Sequence, residues 1–69
     1  MIAVQFADDN GRVLAIGQNY TVIPRIGEHV FNPSFASHGL KTTLKVFSVV
    51  WDMSSPHAFV RIYLKDGSK

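Results

Sequence analysis

The sequence predicts a small all-β domain. Its expected form is an SH3-like or OB-like antiparallel barrel, or a strongly bent sheet, of five to six strands. Three observations lead there. Short apolar segments alternate with period two. Turn-forming residues separate them at close spacing. No segment repeats apolar residues at the helical period over three turns, so no long helix is expected. At 69 residues the chain forms one domain, 1–69, with 66–69 read as a frayed polar tail.

The elements follow in order. Ile2-Ala3-Val4-Gln5-Phe6-Ala7 alternates, with Ile2, Val4 and Phe6 on one face. Asp8-Asp9-Asn10-Gly11 follows. Asn-Gly between alternating stretches signals a hairpin with a type I′ turn, since both residues tolerate positive φ. Arg12 to Ile16 is the return strand, and Gly17-Gln18-Asn19 reads as a bend or bulge. Tyr20 to Ile23 resumes an extended course until Pro24, which cannot donate to a ladder. Pro24 to Glu28 is a turn and His29-Val30-Phe31 a short third strand. Asn32 to Thr43 is rich in turn formers and lacks a period, with a single helical turn expected around Ser34 to Ser37. About twelve irregular residues in so small a domain mark a loop of the kind that often carries function. Leu44 to Met53 is apolar on both faces, which predicts a central strand with a bulge near Ser48-Val49. After a loop at 54–57, Ala58 to Lys65 alternates cleanly. Val60, Ile62 and Leu64 face one way; Phe59, Arg61, Tyr63 and Lys65 face the other.

Composition excludes several classes. The chain is 46% hydrophobic and 17% charged, outside the range of disordered chains. With no cysteine it has neither disulfides nor thiolate zinc sites to stabilise it. A domain this short buries only about 60% of its unfolded surface, so the core or a partner must supply the stability. No apolar run approaches the roughly 20 residues that span a bilayer, and no signal peptide is visible. The expected setting is soluble and cytoplasmic, without membrane contact. The net charge of +2 permits phosphate attraction without demanding it.

No catalytic constellation stands out. No serine sits in a nucleophile elbow, no phosphate-cradling glycine loop is present, and an enzyme-sized pocket is hard to enclose in 69 residues. Neither an enzyme nor a cofactor is expected. His29, His38 and His57 lie near strand ends that can converge, but their spacing fits no zinc pattern, and loop histidines are the simpler reading. Asp8 and Asp9 fall in the predicted hairpin turn, where aspartate caps backbone amides. Asp52 admits two readings: a buried general acid or base with a raised pKa, or a carboxylate closing a turn on backbone amides.

The most suggestive surface is the alternation Phe59, Arg61, Tyr63, Lys65. Rings interleaved with cations suit stacking and phosphate contact, and Lys41 and Lys45 are expected to widen the patch from the adjacent strand. Aromatic residues and arginine are equally the types enriched at protein interfaces. Phe35 admits two readings, an exposed anchor for a partner or a plug folded back over an open barrel end.

Three stretches carry a resemblance. They are Pro24-Arg25-Ile26-Gly27-Glu28-His29-Val30, Val46-Phe47-Ser48-Val49-Val50-Trp51-Asp52, and Phe59-Val60-Arg61-Ile62-Tyr63-Leu64. Together they resemble small bacterial and phage β-barrel proteins of uncharacterised activity. Those share a Pro-Arg-x-Gly-Glu-x-Val turn and a Val-x-x-Val-x-Trp-Asp strand. The resemblance spans Thr21 to Lys65 and implies a fold and a cellular setting, with no agreed activity attached. In the first motif, Arg25 and Glu28 are placed to pair across the turn. By association, such proteins include inhibitors of a host enzyme or defence complex.

The resulting expectation is a non-enzymatic protein-binding module, phage- or mobile-element-encoded. Its partner would be a host protein or a second copy of the chain. The contact area would be the 32–43 loop with Phe35, Lys41, Lys45, Phe59, Arg61, Tyr63 and Lys65. The alternative is a single-stranded nucleic-acid binder using the same face. A homodimer joined through open strand edges is a third.

Overall fold

A computed structural model of the chain describes residues 2–20, 23–54 and 59–66, with only the backbone of residues 2 and 18–20. Its strands are β1 (Ile2–Ala7), β2 (Val13–Tyr20), β3 (His29–Phe31), β4 (Thr43–Asp52) and β5 (Phe59–Lys65). A 3₁₀ segment, η1 (Pro33–His38), joins β3 to β4. The strands form one sheet in the order β2-β1-β5-β4-β3, curled into a half-barrel. The small all-β, barrel-like fold is therefore as the alternation predicts.

The sheet is mixed rather than antiparallel. β1 and β5 run parallel, with Val4 opposite Val60 and Phe6 opposite Ile62, while the other three pairings are antiparallel. A parallel pair needs a long connection, and here β2 through β4 provide it. Nothing local to β1 or β5 encodes that direction.

Each pairing keeps the apolar rows on the concave side. Gly17, Val4, Val60 and Trp51 lie in register across four strands. The next row is Ala15, Phe6, Ile62 and Val49. Toward the C-terminal end of β5, Val46 pairs with Leu64. Val4, Phe6, Leu14, Leu44, Val46, Val60, Ile62 and Leu64 are all buried there. Because side chains alternate, the same register sends Gln5, Phe59, Arg61, Tyr63 and Lys65 to the convex side.

β4 contains the expected bulge, one step earlier than predicted. Pairing passes from Val46–Leu64 directly to Ser48–Tyr63, so Phe47 is the extra residue. The bulge switches the inward set from Leu44 and Val46 to Val49 and Trp51. This is why the strand reads as apolar on both faces. Phe47 turns outward and meets Tyr63, ring centroids 6.2 Å apart.

The first hairpin differs from a two-residue type I′ turn. Asp9 and Asn10 are its central residues, and Gly11 follows at φ 85° with its N–H donating to the Asp8 carbonyl at 3.0 Å. A type I turn followed by a left-handed glycine is the three-residue hairpin loop. Asp8 organises it. Its Oδ1 accepts from the Asn10 and Arg12 amides at 2.9 and 2.8 Å, and its Oδ2 meets Arg12 Nε at 3.2 Å. These bonds hold the Asp8 carboxyl below its ordinary value, the Arg12 amide bond being the largest cause.

η1 explains Phe35. Asn32 caps the segment through Oδ1, which accepts from the Ser34 amide at 3.0 Å, and Pro33 starts it. Gly39 closes it in the left-handed region at φ 77°. His38 Nε2 donates to the Leu14 carbonyl at 3.1 Å, and Arg12 Nη2 donates to the His38 carbonyl at 3.3 Å, fastening η1 to β2. Phe35 then points into the concave face. It has 0% exposure and meets Phe6 edge-on at 6.5 Å. Of its two readings, the plug is correct.

Candidate functional site

The convex face is built by β5 between its two neighbours. Arg61 stands opposite Gln5 on β1 and Val50 on β4, and Gln5 in turn faces Ile16 on β2. One row thus crosses four strands as Ile16, Gln5, Arg61, Val50. Ile16 is 67% exposed and Val50 42% exposed. Around the row lie Phe59, Tyr63 and Phe47, each half-buried. No described element packs over this face.

Arg61 is held at three points. Its Nε donates to Gln5 Oε1 at 3.4 Å, its Nη2 lies 3.9 Å from Asp52 Oδ2, and its guanidinium sits 5.4 Å from the Phe59 ring centre. Lys65 covers the Phe47 ring at 5.4 Å in the same manner. The rings are therefore paired with cations already, and each guanidinium or ammonium keeps its apolar stem against the sheet.

Asp52 closes a turn. Its Oδ1 accepts from the Ser54 amide at 3.0 Å and from the Ser54 hydroxyl at 2.6 Å. The Ser54 hydroxyl is the largest cause holding this carboxyl below its ordinary value, with the Ser54 amide and Arg61 adding to it. These bonds to Ser54 are those of the turn-closing reading.

Several sequence-selected residues fall elsewhere. Phe35 is sealed in the core and takes no part in the convex face. This corrects its placement as a contact residue. Lys41 precedes β4 instead of lying on it, and its Nζ pairs with Asp66 Oδ2 at 3.4 Å. Residues 67–69 of the expected tail lie outside the described residues. Lys45 does lie on β4, opposite Lys65 on one side and His29 on the other. That places three nitrogen bases in one row. Glu28 Oε1 accepts from the Arg25 backbone amide at 2.6 Å, so the predicted Arg25–Glu28 pairing runs through the backbone N–H. His38 is bound to Leu14, and His57 lies outside the described residues, as do Thr21 and Val22. Among the described residues, no three metal-ligating side chains gather. No helix of the described chain is long and apolar enough to cross a membrane.

Sequence reasoning missed a second region. Past the bulge, Val49 and Trp51 carry the concave face beyond the buried core, and Trp51 is 52% exposed there. With Ile23, Pro24, Arg25 and Ile26 they line an open depression of about 510 Å³. The Trp-Asp motif was visible, but alternation alone cannot say where the sheet runs out of cover.

Comparison with protein-family models, with curated proteins and with solved structures gives no match.

Proposed function

We propose that the chain is a non-enzymatic binding module and that the convex sheet face, centred on Arg61, is its protein-contact surface. The observation carrying this is the row Ile16–Gln5–Arg61–Val50, which no described element covers: an arginine between Gln5 and Val50, with exposed apolar side chains at both ends of the row and Phe59 and Tyr63 at its borders. Aromatic and arginine anchors are the residues that dominate protein interfaces. Arg61 is already positioned by Gln5 and Phe59, so docking orders little that is not ordered in the free chain. The test is capture from a bacterial lysate, nuclease-treated and untreated. Wild type is compared with Arg61→Ala and with Ile16→Glu, whose exposed site leaves the core alone. Specific partners should survive nuclease and be lost with either variant. Capture unchanged in both variants overturns the proposal.

A second reading rests on one specific observation. His29, Lys45 and Lys65 stand side by side across β3, β4 and β5, next to the Phe47–Tyr63 pair. Such a row suits phosphates of a single strand, with bases on the rings. Lys65 and Arg61 lying on ring faces weigh against it, since a base would have to displace them. This reading requires affinity for an oligonucleotide that falls steeply with salt.

A further inference from the structure

We propose that the depression at the open end of the half-barrel binds the C-terminal residue of a partner polypeptide. Its aliphatic side chain lies against Trp51, and its carboxylate meets Arg25. This site is independent of the convex face and of the function proposed for it.

Phe35 fills the concave side near Phe6, toward the β1–β2 hairpin. At the other end the row Gly17–Val4–Val60–Trp51 is capped by no described aromatic plug. Trp51 and Val49 form the floor there. Ile23, Pro24, Arg25 and Ile26 form the wall. The volume of about 510 Å³ falls in the range of ligand sites, which recur at the mouths of β-barrels. Ile26, 67% exposed, adds apolar surface at the rim.

The wall is rigid. Arg25 to Glu28 is a β-turn closed by the Glu28 amide on the Arg25 carbonyl at 3.0 Å, with Gly27 at φ 96° as a type II turn requires. Two bonds pin the turn to β4: Gly27 N–H to the Val46 carbonyl, and Val46 N–H to the Glu28 carbonyl, each at 2.9 Å. Glu28 Oε1 is committed to the Arg25 amide. Among the described residues the Arg25 guanidinium has no ion-pair partner, although Arg12 and Arg61 each have one. An apolar floor beside Arg25, a lining residue whose exposed side chain is free to reach over it, is complementary to an apolar group bearing a carboxylate.

A peptide C-terminus meets that requirement best. Within an extended segment, neighbouring side chains point to opposite faces, so the nearest internal acid sharing a face with an apolar residue is two positions, roughly 7 Å, away. A terminal residue carries its side chain and its carboxylate on the same α-carbon.

Trp51 is the single tryptophan of the chain and reports directly on occupancy. The probes are an acetylated glycine-serine hexapeptide ending in leucine with a free carboxylate, its C-terminal amide, the same acid ending in glycine, and 4-methylpentanoate. Trp51 emission should shift to the blue with the leucine acid. That acid should bind at least ten-fold more tightly than the amide or the glycine acid. Arg25→Gln should make acid and amide equal, and Ile26→Ser should weaken both. Both variants change exposed turn side chains, and an amide NMR spectrum verifies that the fold is retained. Equal binding of acid and amide by the wild type, or no response at millimolar peptide, overturns the proposal. So does 4-methylpentanoate binding as tightly as the peptide, which would assign the depression to a free small acid.

Discussion

Replacing Phe35 by alanine tests the central packing feature of the fold. The ring is fully buried, and it meets Phe6 at 6.5 Å on the concave face. Truncating a buried phenylalanine costs about 3–5 kcal/mol through lost transfer energy and the cavity left behind. Loss of the edge-on aromatic contact is part of that cost, about 0.5–1.5 kcal/mol. Against it, a domain of 69 residues has a total stability of roughly 3–10 kcal/mol. Phe35→Ala should therefore lower the urea midpoint severely or leave the chain unfolded at room temperature. If folded, it should melt at least about 12 °C lower. Phe35→Leu keeps most of the volume, leaves a smaller cavity and should cost clearly less than the alanine variant. Urea unfolding followed by circular dichroism and by Trp51 emission, which sits away from the plug, measures both. A loss below about 1 kcal/mol for the alanine variant, with an unchanged denaturant slope, would show that the ring is not in the core. Partner binding lost at wild-type stability would restore the exposed-anchor reading.

Two further outcomes follow from the charges. Asp8 and Asp52 both have carboxyls held below their ordinary value of 3.8 in the folded chain. A depressed folded pKa gives stability that is full above the unfolded pKa and is lost as pH falls through the folded one. Unfolding midpoints should thus be level down to about pH 4 and decline below it. The double variant Asp8→Asn, Asp52→Asn should flatten that decline, and a decline of undiminished size would refute the assignment. Lys45 stands directly opposite Lys65, an unfavourable pairing. Lys45→Glu should raise stability by roughly 0.5 kcal/mol at low salt, with the gain shrinking in 1 M salt. A lower urea midpoint would contradict the register argument. The same change should abolish any oligonucleotide binding while leaving Arg61-dependent protein capture in place.

Period-two alternation is a local property, so it was legible without coordinates. Val60, Ile62 and Leu64 face inward and Phe59, Arg61, Tyr63 and Lys65 outward because neighbouring side chains on a strand must diverge. The excess of apolar residues in β4 announced its bulge, though not whether Phe47 or Ser48 was the extra residue. Turn chemistry placed the bends at Gly11 and Gly27. The choice between a type I′ turn and a type I turn with a left-handed glycine depended on Asp8 capturing two amides.

The remaining features arose from contacts between residues far apart in the chain. β1 joins β5 in parallel, with Val4 and Phe6 in line with Val60 and Ile62 on one apolar surface, although an antiparallel pairing would align the same side chains. Local propensity is the same for either direction. Phe35 is inside because His38 and Arg12 tie η1 to β2. Trp51 is half exposed because its row ends where the half-barrel opens, and Arg25 stands beside it because two backbone bonds fix its turn to β4. The alternation within each strand is set by backbone geometry alone. Which surfaces stay uncovered depends on how the curled sheet and η1 share a limited supply of apolar side chains, and that is settled only when the strands meet.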